Sequence, residues 1–488
     1  MRTAKVSGTS SNILVIAIML SGAFIAILNQ TVLSPALPSI MRDLHINASE
    51  GQWLTTGFLL VNGIMIPITA YLTNKFTTRR LFIGSMLFFT VGSIFAAMAP
   101  NFAILMLGRL IQAVGAGVLM PLVQIVILLM FPKEKRGSAL GMVGIVISAA
   151  PAIGPTLAGW LVDTWGWHML FGIIAPIALL DIILAILFLR NVGETTNPSL
   201  DIVSVVYSTL GFGSLLYGCS SAGSNGWGNP LVILPLIIGC IFLVLFVQRQ
   251  LTIATPLLEL RVFKNSIFTY STIIGMIVNG ALLVGTIITP IYMQTILGYT
   301  ALHSGLLLLP AALIMAIMSP ITGKLFDRFG PRVLALAGLT FMTIGTLCFL
   351  TFDEHSSYLY LCLVYTFRML GISMLMMPLT TWGINSLENR YIPHGNALNN
   401  SARQVAGSIG TAVLITIMTT TMHHTEKLGV VVSTLRGMHM AFGCAAALSA
   451  FALILAFFVV HDDEETKRRR AQIKEQRKTF SPQAVKQN

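Results

Sequence analysis

Fourteen times along this 488-residue chain, a stretch of about 20 residues passes with almost no charge. A helix rises 1.5 Å per residue and the hydrocarbon core of a bilayer is about 30 Å thick, so each stretch matches one membrane crossing. The stretches fall near 12–34, 52–74, 81–99, 103–131, 137–161, 168–190, 202–220, 231–249, 267–292, 304–324, 332–351, 358–382, 402–423 and 437–460. The breakers SSAGSNGWGNP (220–230) and LGYTALHSG (297–305) divide the two longest apolar tracts. Only 10% of residues are charged and 55% are hydrophobic. Soluble domains carry about 25% charge, so the solvent for this chain is lipid. The expected fold class is an all-α polytopic membrane protein.

Charge fixes the orientation. With both termini on the inner side, 25 of the 30 Lys and Arg residues are inside. Only Arg42, Lys427 and Arg436 fall in outer loops, and Arg109 and Arg368 lie within helices. The positive-inside rule therefore predicts cytoplasmic termini. The net charge of +12 gathers in short loops and in ETKRRRAQIKEQRK (465–478), which suits anionic lipid and not nucleic acid. The five cysteines lie in apolar stretches without C-x-x-C spacing, which excludes a disulfide framework or a zinc site. The basic start (Arg2, Lys5) precedes a run too long for a signal peptide, so the run is read as the first helix.

An internal repeat divides the chain. AYLTNKFTTRRLF (70–82) and GKLFDRFGPRVLA (323–335) align at an offset of 253, pairing Leu72 with Leu325, Phe76 with Phe329, and Arg79 with Arg332. Parallel six-helix repeats mark transporters that rock two halves about a midplane site. The expected division is a six-helix half (1–195), a two-helix insertion (196–262), a second six-helix half (263–461) and a basic cytoplasmic tail (462–488). The second loop holds a full latch set of Gly323, Asp327, Arg328 and Arg332, whereas Ala70, Asn74 and Thr77 erode the first. An acid at a helix N-terminus can hold one conformation closed.

These residues resemble the major facilitator superfamily, in particular its fourteen-helix drug/proton antiporter family. LGRLIQAVGAG (107–117), PAIGPTLAGW (151–160), YMQTILGYTALHSGLLLLP (292–310) and GNALNNSARQVAGSIG (395–410) occur in the family's order. Gly154, Pro155 and Gly159 resemble the antiporter motif, and tight helix packing accounts for the same residues physically. The resemblance implies a major facilitator fold arranged 6+2+6 in a bacterial cytoplasmic membrane. It further implies alternating-access export of lipophilic or amphipathic compounds in exchange for protons, by a monomer without cofactor or metal. An uncoupled or differently coupled carrier of a lipid-linked or amphipathic metabolite is the alternative. The isolated HHTEK (423–427) offers no catalytic cluster, so an enzyme is not expected.

A guanidinium within a spanning helix is costly unless it meets water or a partner, so Arg109 is a proton-coupling candidate, with Gln112 one turn away on its face. Asp181 is the one acid deep in a predicted helix, where a carboxyl could exchange protons. The family's helix-1 aspartate aligns with Asn29, which cannot titrate. Polar residues expected to line the substrate cavity are Asn29, Gln30, Asn62, Gln112, Gln124, Asn279, Gln294 and Asn385.

Overall fold

The computed structural model describes residues 9–46, 48–193, 195–196 and 199–461. The basic tail and the N-terminal Arg2 and Lys5 lie outside this set. Every regular element among the described residues is helical. In the first half of the chain these are α1 (Thr9–Thr31), α2 (Leu33–Asp43), α3 (Ala48–Lys75), α4 (Thr78–Ala97), α5 (Phe102–Met130), α6 (Arg136–Trp165) and α7 (His168–Phe188). Two further helices, α8 (Ile202–Asn225) and α9 (Pro230–Thr252), form a hairpin. The remainder comprises α10 (Ser266–Thr295), α11 (Ala301–Cys348), α12 (Tyr358–Ser373), α13 (Met376–Asn385), α14 (Ile392–His424) and α15 (Val430–Val459). Thirteen stretches among the described residues are long and apolar enough to cross a membrane.

Local chemistry sets the boundaries. Asn101 caps α5 by accepting from the Ile104 amide at 3.0 Å, and Asn265 caps α10 from Phe268 at 3.1 Å. Gly226, at φ 76°, ends α8 in a conformation that side chains resist. At 48 residues α11 would run about 72 Å if straight, more than twice the hydrocarbon thickness. It breaks at Gly330 (φ 74°, ψ −178°), followed by Pro331, which cannot donate a backbone hydrogen bond.

Two hydrophobic cores form. One is built on α1 to α7, with Met377 and Ile384 of α13 and Ile392 of α14 packed into it, and the other on α10 to α15. The hairpin lies across the seam between them. Trp53 of α3 stacks on Tyr217 of α8, with ring centroids 5.5 Å apart. On the other side, the Trp227 indole donates to Thr416 of α14, and Cys219 and Ala222 pack with Ala412. Residues such as Leu231, Leu234 and Ile241 of α9 are exposed, as lipid-facing side chains should be. Where the hairpin enters the fold, Arg249 grips Asp201 through two bonds of 2.6 and 2.8 Å. That grip holds the Asp201 carboxyl down at about pKa 2.

The repeat persists in packing. Ser85 of α4 lies under Gly115 of α5, where an added Cβ would come within 2.3 Å of the Ser85 carbonyl. Gly338 of α11, 253 residues beyond Ser85, lies under Gly371 of α12, 256 beyond Gly115, with the corresponding approach at 2.7 Å. Backbones this close leave no room for side chains, so small residues recur at both crossings.

Candidate functional site

The base of the molecule, where α1 begins and α15 finishes, is where the two cores clasp each other. Asp327, near the break in α11, accepts from the Gly137 amide at 2.9 Å and the Ser138 amide at 2.8 Å, and from the Ser138 hydroxyl. Those amides belong to the first turn of α6, so the carboxylate meets unsatisfied donors and the positive end of the helix dipole. Gly323 and Gly137 make this possible, because a Cβ on Gly323 would lie 2.3 Å from the Gly137 carbonyl. Next to them Arg136 is buried. It donates to the Phe131 carbonyl at 3.2 Å, Asn385 Oδ1 at 3.1 Å and Asn389 Oδ1 at 3.2 Å. Arg328 and Arg332 lie over the rings of Phe329 and Phe457, at 5.3 and 5.9 Å. Opposite this clasp, the eroded loop makes a neutral contact, Asn74 to His394, at 3.3 Å.

Deeper in, a layer of amides ties α5 to α14. Asn400 donates to Gln124 Oε1 at 2.8 Å, and Asn396 to the Pro121 carbonyl at 3.2 Å. Pro121 cannot donate to the Gly117 carbonyl one turn back, and Thr69 of α3 takes up that acceptor at 3.5 Å. Behind it, Asn279 of α10 donates to the Arg403 carbonyl at 2.7 Å, and Arg403 donates to Thr380 at 3.3 Å.

Arg109 is wholly buried among α3, α4, α5 and α7. It donates to Gln112 Oε1 at 3.0 Å and to the Leu54 carbonyl at 3.4 Å, and its guanidinium lies 4.3 Å from the Phe58 ring centroid. Gln112 passes the chain on to Ser93 at 2.8 Å. Arg109 Nη2 and Asp181 Oδ2 are both buried without a hydrogen-bond partner. The two side chains do not meet. Asp181 lies ten residues beyond Phe171 (which packs near Arg109), about 15 Å along α7. It accepts from Ser21 of α1 at 2.6 Å, and Gly22 leaves room for its second oxygen.

The remaining expected residues lie in several settings. Asn29, expected to line a cavity, is wholly buried in this structure, with neither amide atom bonded. Asn385 sits in the base clasp rather than deep in a cavity, because α13 ends there. Gln294 is exposed at the end of α10 and joins none of the others. Gln124 and Asn279 are held in interhelical bonds. Arg368 corresponds to Gln112: Gly115 and Gly371 differ by 256, as do Gln112 and Arg368. Arg368 accordingly bonds Thr346 at 3.1 Å, as Gln112 bonds Ser93, and Gly285 makes room for its guanidinium. Gln30 and Asn62 are half-buried on α1 and α3. In the glycine motif, a Cβ on Gly154 would meet Thr31 Oγ1 at 2.2 Å, while one on Gly159 would meet nothing within 4 Å. Pro155 lies between them in unbroken helix. Arg136, Asn396 and Asn400 carry cross-core contacts that sequence reading did not single out. The conspicuous run GNALNNSARQ was the available signal for the two asparagines.

The comparisons with known proteins agree with this architecture. Residues 19–411 match the model of the Major Facilitator Superfamily. An uncharacterized MFS-type transporter, YcnB of Bacillus subtilis (strain 168), is 50% identical over 91% of this chain and 94% of its own. The lincomycin resistance protein LmrB of the same organism is 39% identical over 94% of this chain and 98% of its own. Among solved structures, the proton:xylose symporter XylE superposes with a TM-score of 0.64, at 16% identity, over 93% of this chain and 97% of that one. The chain is a multi-pass membrane transporter, not an enzyme, and it belongs to the Major Facilitator Superfamily, in the branch that holds the multidrug and lincomycin resistance exporters.

Proposed function

We propose that this protein is a monomeric secondary active exporter of lipophilic or amphipathic compounds, working by alternating access in exchange for protons. The observation that carries the reading is the Asp327 clasp. It joins the two cores at one end through groups that can separate and rehydrate, as a gate must. The likeness to a lincomycin resistance protein supports export of drug-like compounds.

Fourteen crossings follow if α1 and α2 count as one span, α12 and α13 as one, and α11 as two divided at Gly330. The division is then 1–195, 196–262 and 263–461, followed by a cytoplasmic tail at 462–488. The positive-inside bias supports a base on the cytoplasmic face, in the proposed bacterial inner membrane. The closed clasp would make this the outward-facing state.

Asp181 is the proposed proton carrier. A carboxyl that is buried, with one oxygen bonded to Ser21 and the other unpartnered, is suited to hold a proton. Arg109, with one unpartnered nitrogen, is the proposed organiser of charge at the α3–α5–α7 junction. Asn29, Gln30, Asn62 and Gln112 remain the proposed central substrate contacts, to be exposed when the helices rearrange. An uncoupled carrier is favoured by one observation: Asn29 stands where a titratable acid is expected. The test is lincomycin efflux from everted vesicles under an imposed pH gradient. Proton-driven efflux should fall at least tenfold in Arg109→Ala and Asp181→Asn. Efflux indifferent to the gradient would establish the uncoupled carrier instead.

A further inference from the structure

A cavity of about 620 Å³ lies at the base, apart from the residues assigned above to the central substrate site. Leu122, Ile125, Val126 and Leu129 of α5 form one wall, and Tyr391, Pro393 and His394 at the start of α14 form the facing one. The two walls therefore belong to the two cores. The exposed Phe76 and Arg390 stand at its edge, so the cavity communicates with the base surface. Its inner limit follows from the sequence positions. On α5 the wall begins at Leu122, between Pro121 and Gln124, the two residues tied to α14. On α14 the wall ends at His394, two residues before Asn396. The amide layer is thus the ceiling of the cavity.

We propose that this cavity is a loading chamber, in which a compound from the cytoplasm or the inner leaflet binds before the amide layer parts and admits it to the centre. The inference rests on the export reading and adds to it a first binding site and the ligand class that fits there. The volume is that of a drug-sized pocket, about 300–1,000 Å³. The α5 wall is aliphatic and contributes area without direction. Hydrogen-bonding groups stand on the opposite side and at the rim: the phenols of Tyr71 and Tyr391, beside the Asn74 amide and the His394 ring, which are bonded to each other at 3.3 Å. Glu259 is committed to Arg261, which stands 3.6 Å from it, and Arg390 to Glu388 at 2.8 Å, so neither offers an unshared charge to a ligand. The chamber therefore suits a neutral or weakly basic amphiphile with one apolar face and one hydrogen-bonding face, rather than a permanent dication.

Gln124 and Asn400 give the ceiling its character. A bond between two neutral amides can exchange for a ligand's hydroxyl or amide without uncovering a charge, whereas parting an ion pair would expose two. A ligand filling the chamber would thus compete for the groups that hold the gate.

The test uses the full chain in everted vesicles, with lincomycin as the probe and the five native cysteines replaced. A cysteine at Leu129→Cys should react with a water-soluble maleimide from the base side, and lincomycin should slow that reaction at least fivefold. In the otherwise native chain, Leu129→Trp should raise the apparent KM for lincomycin efflux at least fivefold, a larger change than in the maximal rate. Efflux without protection, or with KM unmoved by the tryptophan, overturns the chamber while leaving export intact. Protection without efflux supports the chamber and overturns export. Neither protection nor efflux overturns both.

Discussion

Replacing Asp327 should shift the resting conformation, and the structure sets how far. The carboxylate accepts two backbone amides and one hydroxyl across the boundary between the cores. Hydrogen bonds to a charged group contribute about 1.5–3 kcal/mol each, and bonds sharing one acceptor group are not additive. The separated groups regain water when the base opens, so the change falls mainly on the closed state. Taking about 3 kcal/mol for the whole contact, Asp327→Ala should raise the open fraction about a hundredfold, at 1.4 kcal/mol per tenfold. Asp327→Asn keeps one acceptor oxygen but loses the charge facing the helix terminus. It should lose about half as much, a shift of about tenfold. Phe326 is buried beside Gly137 at the α6–α11 contact and reports on opening. In a background without native cysteines, Phe326→Cys should react with a water-soluble maleimide about a hundred times faster beside Asp327→Ala, and about ten times faster beside Asp327→Asn. Equal rates in all three backgrounds would refute the claim that this carboxylate holds the base shut.

Two further outcomes follow from local geometry. Gly154→Ala should lower stability by about 1–3 kcal/mol through the overlap with Thr31, while Gly159→Ala, which meets nothing, should raise the melting temperature slightly because alanine is the better helix former, both read by thermal unfolding in detergent. Asp201 has its pKa lowered in the folded state, so its contribution is fully present above its unfolded value of about 3.9 and is lost as pH falls toward 2. Asp201→Asn should therefore melt below the native protein at pH 7, and the gap should narrow as the pH is brought from 4 toward 2.

How far the sequence could be read depended on the range of each interaction. Lengths of charge-free chain located most helices to within a few residues, because crossing a bilayer is a condition each segment meets alone, but α14 begins ten residues and α15 seven residues before the expected starts. The pairing of Arg109 with Gln112 was legible for a similar reason, since positions three apart share a helix face. Contacts between distant segments were not. Nothing near Asn385 says that Arg136, 249 residues away, will take its oxygen. Nothing near Asn29 says whether its helix turns it toward a cavity or into packed neighbours. Arg368 shows a subtler limit. Counting from the duplicated loops puts it opposite Gly115, but the register is set by where glycines let helices touch, and that register pairs it with Gln112.

The crossing of α6 and α11 also constrains how the molecule can move. Gly137 meets Gly323, Gly141 meets the backbone of Ser319 and Pro320, and Gly144 meets the Ser319 side chain. These eight residues of α6 span about 10 Å. Side chains at an interface can swing to new rotamers and keep contact through a rotation, but a seam of bare backbone has no such slack. Opening the base would have to peel this seam from one end, releasing Gly137 from Gly323 first and using the Gly144–Ser319 contact as the fulcrum. The lever arm would then be short on the α6–α11 side and long across the molecule, so the widest gap would form at the far edge, beside α3, α5 and α14.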